Sequence, residues 1–313
     1  MKNIIVSAPG KIHFLGEHAV VYGKAALLAA IDKRISVAIS ATKEKKVDDL
    51  SLEELKKVIE QAIKRKYKIS KIPPYSISIS SDIPIGCGLG SSAALSAALT
   101  FALLISLGVD ADKTTVFDIA YKGESLFHGN PSGGDLATVI EGGLLWYRKE
   151  FEFLKTFSPL PFKLHRNIKQ FILIDSGRPR ETTREMVESV SEFKNKYPKI
   201  VEKIFSNQEE LTKKMVIALK NGDEDLLIEC IKSGQRNLER LRVVGVSAKK
   251  IISSIEKLGG AGKIMGGGGY MAGSGMLLAY HNDRKMIQKM LGEMRLQWSD
   301  VLLGEQGLRK EKS

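Results

Sequence analysis

Hydrophobic and polar positions follow two periods along this chain, and the switches between them lay out the elements. Tyr75, Ile77 and Ile79 alternate with Ser76, Ser78 and Ser80, the period of a strand with one buried face, and Pro84 stops it. Leu52, Leu55, Val58, Ile59, Ala62 and Ile63 recur at helical spacing behind Ser51-Leu52-Glu53-Glu54, a capping-box sequence. Residues 3–7, 12–14, 19–22 and 35–39 are apolar and β-prone with glycine turns between them, which predicts several short strands. An Ala/Leu-rich run predicts a buried helix over 91–107. A second helix runs from the cap residue Asp112 to about 127, where Gly129 ends it. Residues 137–147 have β character around Gly142-Gly143, and 171–175 read as a buried strand. Helical patterns then follow one another over 181–196, 199–220, 223–242 and 247–258. A glycine cluster (259–275), a strand (276–281) and a helix (283–294) complete the series.

This order describes an α+β chain with a mixed N-terminal half and a helix-rich C-terminal half, divided as residues 1–165 and 166–313. With 313 residues, 43% of them hydrophobic and 27% charged, the composition is that of a globular protein with a real core. Lysine and arginine exceed aspartate and glutamate by 12, which suits anionic ligands. The positive charge is dispersed, and aromatics make up only 7%, so a base-stacking surface for nucleic acid is not expected. Two cysteines, Cys87 and Cys230, build neither a disulfide framework nor a cysteine zinc site. The Ala/Leu run is too short and too Gly-flanked for a membrane span, and Lys11 interrupts any signal-peptide core, so a cytoplasmic protein is expected.

Three segments carry candidate chemistry. Pro84 ends a strand, and Gly86-Cys87-Gly88-Leu89-Gly90 leads into a helix at Ser91-Ser92. Glycines let backbone approach a phosphate, and a helix N-terminus offers unpaired N–H groups and a positive dipole end. The spacing is neither a Walker A loop nor a dinucleotide fingerprint, and a tight turn with serine caps is the plain alternative. Next, Glu124 lies near a helix end and Asp135 follows the loop His128-Gly129-Asn130-Pro131-Ser132-Gly133-Gly134. That loop can fold the two acids toward one cavity, as an acceptor hydroxyl and a magnesium ion would require. A solvated helix acid and a cap residue are the plain alternatives. Third, Lys11 sits among apolar β residues ahead of Gly16-Glu17-His18-Ala19-Val20-Val21-Tyr22-Gly23. A buried ammonium needs a partner, and Asp135 would serve, as structure or as catalysis.

Taken in this order, the three segments resemble the signature elements of the GHMP kinase superfamily, and the Gly16–Gly23 segment resembles mevalonate kinases in particular. The resemblance implies the GHMP kinase fold: an α/β N-terminal domain like that of a small-subunit ribosomal protein, a ferredoxin-like C-terminal domain, and an active site between them. It implies ATP-dependent phosphorylation of the 5-hydroxyl of (R)-mevalonate, with Mg²⁺. It further implies Asp135 and Lys11 as catalytic residues and Ser92 and Glu124 as metal ligands. Pro84, Gly86, Cys87, Gly88, Leu89, Gly90, Ser91 and Ser92 would form the ATP loop, and Glu17, His18 and Thr183 would line the acceptor pocket. A homodimer is the family's usual assembly. One departure stands out: Lys263-Ile264-Met265-Gly266-Gly267-Gly268-Gly269 carries Met265 where the family has threonine or serine. The alternatives are a sibling kinase for phosphomevalonate or homoserine, a related decarboxylase, and a non-catalytic nucleotide-binding or nucleic-acid-binding protein.

Overall fold

The computed structural model describes residues 4–42, 50–84, 87–128, 131–151, 153–168 and 170–312. Gly86 of the first loop and Gly129-Asn130 of the second lie outside them.

Two compact units emerge, both discontinuous in sequence. The first comprises Met1–Lys11, Ala30–Gly143 and Glu305–Ser313, the second Ile12–Ala29 and Leu144–Gly304. Two long strands, β1 (Ile4–Leu15) and β2 (Ala25–Ala41), are the reason, because each contributes residues to both. The buried part of β2, Ala25–Ile31, is an unbroken apolar run, whereas the buried run of β1 includes Ser7 and Lys11.

In the first unit, β3 (Tyr75–Ser81) pairs antiparallel with β2, Val37 opposite Ile79, so the alternating segment is a strand as expected, but its buried face is limited to Tyr75: Ile77 is half-buried and Ile79 exposed. Three helices pack against one another: α1 (Leu50–Tyr67), α2 (Ser91–Ser106) and α3 (Lys113–His128). Asp112 does cap α3, its Oδ1 accepting from the Thr115 N–H at 2.7 Å. Of residues 137–147, expected to be extended, 137–141 lie instead in a helix, α4 (Gly134–Glu141), and the strand begins only at Leu144. Thr138, Val139 and Ile140 are β-prone, but all three are buried, and Gly133 in the left-handed region starts a helix that burial sustains.

In the second unit, β4 (Leu144–Lys149) pairs with the first part of β2 and with β5 (Lys155–Pro159). Residues 19–22, expected as a strand, make one 3₁₀ turn, Ala19–Tyr22, closed by Gly23 at φ 79°. A second antiparallel sheet has the order β7-β8-β6-β9, from β6 (Gln170–Asp175), β7 (Ala261–Ile264), β8 (Met276–Tyr280) and β9 (Trp298–Leu302). Helices α5 (Thr183–Lys196), α6 (Pro198–Asn221), α7 (Glu224–Arg240), α8 (Val246–Lys257) and α9 (Arg284–Glu293) follow the four expected patterns and the final one. Their apolar faces, with those of β6, β7 and β8, form one core that includes Ile172, Met186, Phe205, Leu238, Ile252 and Leu277.

The chain ends on β10 (Arg309–Lys310), paired with β1 in the first unit, which gives that sheet the order β10-β1-β2-β4-β5 with β3 also on β2. Among the described residues, no helix is long and apolar enough to cross a membrane.

Candidate active site

The first glycine loop is pinned to β1. The Lys11 N–H donates to the Leu89 carbonyl at 2.8 Å, and Leu89 itself is buried. Gly90 is the N-cap of α2 at φ 76°, and a Cβ on it would stand 2.7 Å from Lys11 Cγ, so both conformation and space demand glycine. Gly90 makes no side-chain cap bond, and the first-turn N–H groups at Ser91 and Ser92 belong to the set a helix cannot pair internally. Gly88, at φ 74°, is exposed with open space around it. Pro84 is exposed, and Cys87 is half-buried and outside any disulfide.

Lys11 runs past Gly90 and ends at Asp135, with Nζ 2.9 Å from Oδ2. The lysine is almost wholly buried, whereas 37% of the Asp135 side chain remains exposed. The pair thus satisfies the buried ammonium and leaves the carboxylate accessible to a ligand. Asp135 lies in the first turn of α4, where the helix dipole favours a negative charge.

Glu124, near the C-terminal end of α3, is buried. Its pKa is pushed up to about 7, chiefly by burial and next by the charge of Asp135, against a hydrogen bond from Ser92 and the charge of Lys11. Lys11, Ser92, Glu124 and Asp135 therefore sense one another within the first unit. Glu124 and Ser92 offer hard oxygens, and two mutually repelling carboxylates form a setting that a divalent cation relieves. These residues fit Mg²⁺, which takes few protein carboxylates and completes its shell with phosphates and water.

The second unit holds the other expected residues. Glu17 and His18 follow the end of β1 and are both buried. One Glu17 oxygen, Oε1, accepts from Lys263 of β7, whose side chain is completely buried. The Lys263 ammonium also donates to the carbonyls of Ile264 (2.7 Å) and His13 (3.5 Å). Sequence reading missed this lysine as a site residue. The clue was present in Ala261-Gly262-Lys263-Ile264, a lysine inside an apolar strand, as with Lys11. His18 has φ 59°, an uncommon conformation for a side-chain-bearing residue, and its Nε2 lies 3.0 Å from the Gly267 carbonyl. Burial lowers its pKa, so the ring is neutral, with Nε2–H donating and Nδ1 left as an acceptor. Glu17 Oε2 and His18 Nδ1 are both buried and have no hydrogen-bond partner among the described residues.

Thr182 and Thr183 divide their tasks at the start of α5. Thr182 is the N-cap, in a reciprocal capping box with Glu185. Thr183 is exposed, and Gly267 passes so close that a Cβ there would meet its Cα at 3.3 Å. Hence Thr183 rather than Thr182 stands beside the segment that holds His18. The second glycine cluster is a packed turn. Ser274 Oγ donates to the Gly269 carbonyl at 2.8 Å, and Glu181 Oε1 accepts from the N–H groups of Tyr270 and Met271. Met265, the residue that departs from the family pattern, is buried, and its N–H donates to the Met276 carbonyl.

Residues 53–143 match the family described as GHMP kinases N terminal domain, and residues 1–41 match the galactokinase galactose-binding signature. The chain is 35% identical to a mevalonate kinase of Archaeoglobus fulgidus, over 84% of this chain and 88% of that one. It is 30% identical to a mevalonate kinase of Pyrococcus horikoshii, over 89% of each. Among solved structures, the Methanococcus jannaschii mevalonate kinase superposes with a TM-score of 0.81 at 21% identity, over 97% of this chain and 99% of that one.

Proposed function

The chain belongs to the mevalonate kinase family of GHMP kinases, and we propose on that premise that it transfers the γ-phosphoryl group of ATP to the 5-hydroxyl of (R)-mevalonate through Asp135 and Lys11. The observation that carries this reading is the 2.9 Å Lys11–Asp135 pair laid against the glycine loop. The N–H groups at the start of α2 and the Gly88–Gly90 backbone bind phosphate oxygens, which gain charge as the group leaves ADP. Asp135 holds the acceptor hydroxyl by its proton and receives that proton as the new P–O bond forms. Lys11 fixes the Asp135 rotamer from the buried side and keeps positive charge beside the attacking oxygen. Ser92 and Glu124 would hold Mg²⁺, which supplies charge neutralisation to the phosphates. Glu17, His18 and Thr183 recognise the acceptor, and the two unpartnered buried acceptor atoms support that role. The reading extends to a cytoplasmic homodimer that works on ATP and mevalonate without nucleic acid or membrane.

ADP release with mevalonate, phosphomevalonate, homoserine and galactose as alternative acceptors tests it. Strong turnover is expected with mevalonate alone. Preferred turnover of phosphomevalonate or homoserine would defeat the assignment of the acceptor.

A further inference from the structure

Lys263 is a completely buried cation directly bonded to a residue of the proposed acceptor pocket, yet it cannot itself bind an anionic acceptor. An ammonium has three hydrogens. Here they face Glu17 Oε1, the Ile264 carbonyl and the His13 carbonyl, and no donor remains. Any influence on the acceptor must pass through Glu17. A second link starts from the same strand end. Past the buried Met265, the Gly267 carbonyl accepts from His18 Nε2. The stretch from Lys263 to Gly267 thereby sets Glu17 through a side chain and His18 through a backbone oxygen. What both residues have left over is the same kind of atom, an unpartnered buried acceptor: Oε2 of Glu17 and Nδ1 of His18. The backbone of this stretch is itself held, because the Ile264 N–H donates to Gln235 Oε1 of α7 at 3.0 Å.

We infer that Lys263 is a positioning and specificity-determining residue: by occupying one oxygen of Glu17 and cancelling its charge, it leaves acceptor atoms without net charge for the second hydroxyl, the one Asp135 does not hold, of an acceptor that itself carries a carboxylate. Without Lys263, the Glu17 carboxylate would stand uncompensated and repel such an acceptor, and its orientation would be lost. The inference rests on the acceptor reading above and adds to it the residue that acts from behind the pocket.

A kinetic double-mutant cycle on the full chain tests it, with KM for mevalonate and for MgATP measured on wild type, Lys263→Met, Glu17→Gln and the double variant. Lys263→Met should raise KM for mevalonate roughly tenfold or more while KM for MgATP moves less than about twofold. Lys263→Arg, which keeps the charge, should recover part of that loss. In the Glu17→Gln background, Lys263→Met should have little further effect on KM, because its partner's charge is already gone. Additive effects of the two substitutions, or equal changes in both KM values, would overturn the inference. If Lys263→Met does not fold, Glu17→Gln against the uncharged double variant still decides: a much higher KM in the double variant contradicts action through Glu17. Wild type that ignores mevalonate would be a failure of the acceptor reading alone, and the cycle would then be run on the acceptor it does accept.

Discussion

A single carboxylate, Glu124, shows how function is set against stability here. Its ordinary pKa of 4.5 rises to about 7 in the folded protein, through burial first and the charge of Asp135 second. Between those two values the folded protein holds a proton that the unfolded chain has released, so stability falls as pH rises through that window. A shift of this size corresponds to about 3 kcal/mol lost by pH 8 in the absence of metal. Glu124→Gln removes the cost of ionisation. The variant should therefore melt higher than wild type at pH 8 without Mg²⁺, with the gain shrinking toward pH 5, while kinase activity collapses. Thermal melts across pH 5 to 8 check this, and a gain that is constant with pH would contradict it. The Lys263–Glu17 pair is the opposite case, two charges buried together, where removing one partner typically costs about 3–5 kcal/mol.

The neighbouring threonines offer a test at the scale of the element. Thr182 completes the capping box of α5, and such a cap is worth about 1 kcal/mol, so Thr182→Ala should lower the melting temperature while leaving KM for mevalonate near wild type. Thr183→Ala should do the reverse, with an unchanged melt and a raised KM. Exchange of these two phenotypes would place the acceptor contact one residue earlier. Elements also show what the sequence made legible. The existence of strand β3, the Asp112 cap of α3 and the periodic faces of α5 to α8 were readable because each carries a local signal in its own residues, whereas the exposure of Ile79 in β3 was not. Residues 137–140 were not, because their β-branched side chains favour a strand and only burial around α4 overrides them. The 3₁₀ turn at Ala19–Tyr22 was hidden for a similar reason, its apolar residues matching a strand while Gly23 and the unusual φ of His18 set the turn.

Across the whole molecule, the hardest feature to read is that β1 and β2 each serve both compact units, since a linear pattern has no mark for where a strand passes from one packing environment to the next. Contacts distant in sequence were hidden unequally. Lys11 to Asp135 was legible because a lysine in an apolar strand demands a partner and the loop before Asp135 offered one. Lys263 to Glu17 carried the same signal, but nothing local connects residues so far apart. The net charge of +12 fits an enzyme whose substrates are anions, and its dispersal along the chain fits small ligands better than a polyanion.

On the proposed reading, the Lys11–Asp135 pair performs the phosphoryl transfer. Its most direct test is single-turnover formation of phosphomevalonate by Asp135→Asn, with ATP binding measured on the same preparation. The asparagine keeps the size of the side chain and loses its capacity to take the proton. A transfer rate lower by about 10²- to 10⁴-fold is expected, with ATP affinity essentially unchanged. A rate within a few fold of wild type would contradict it.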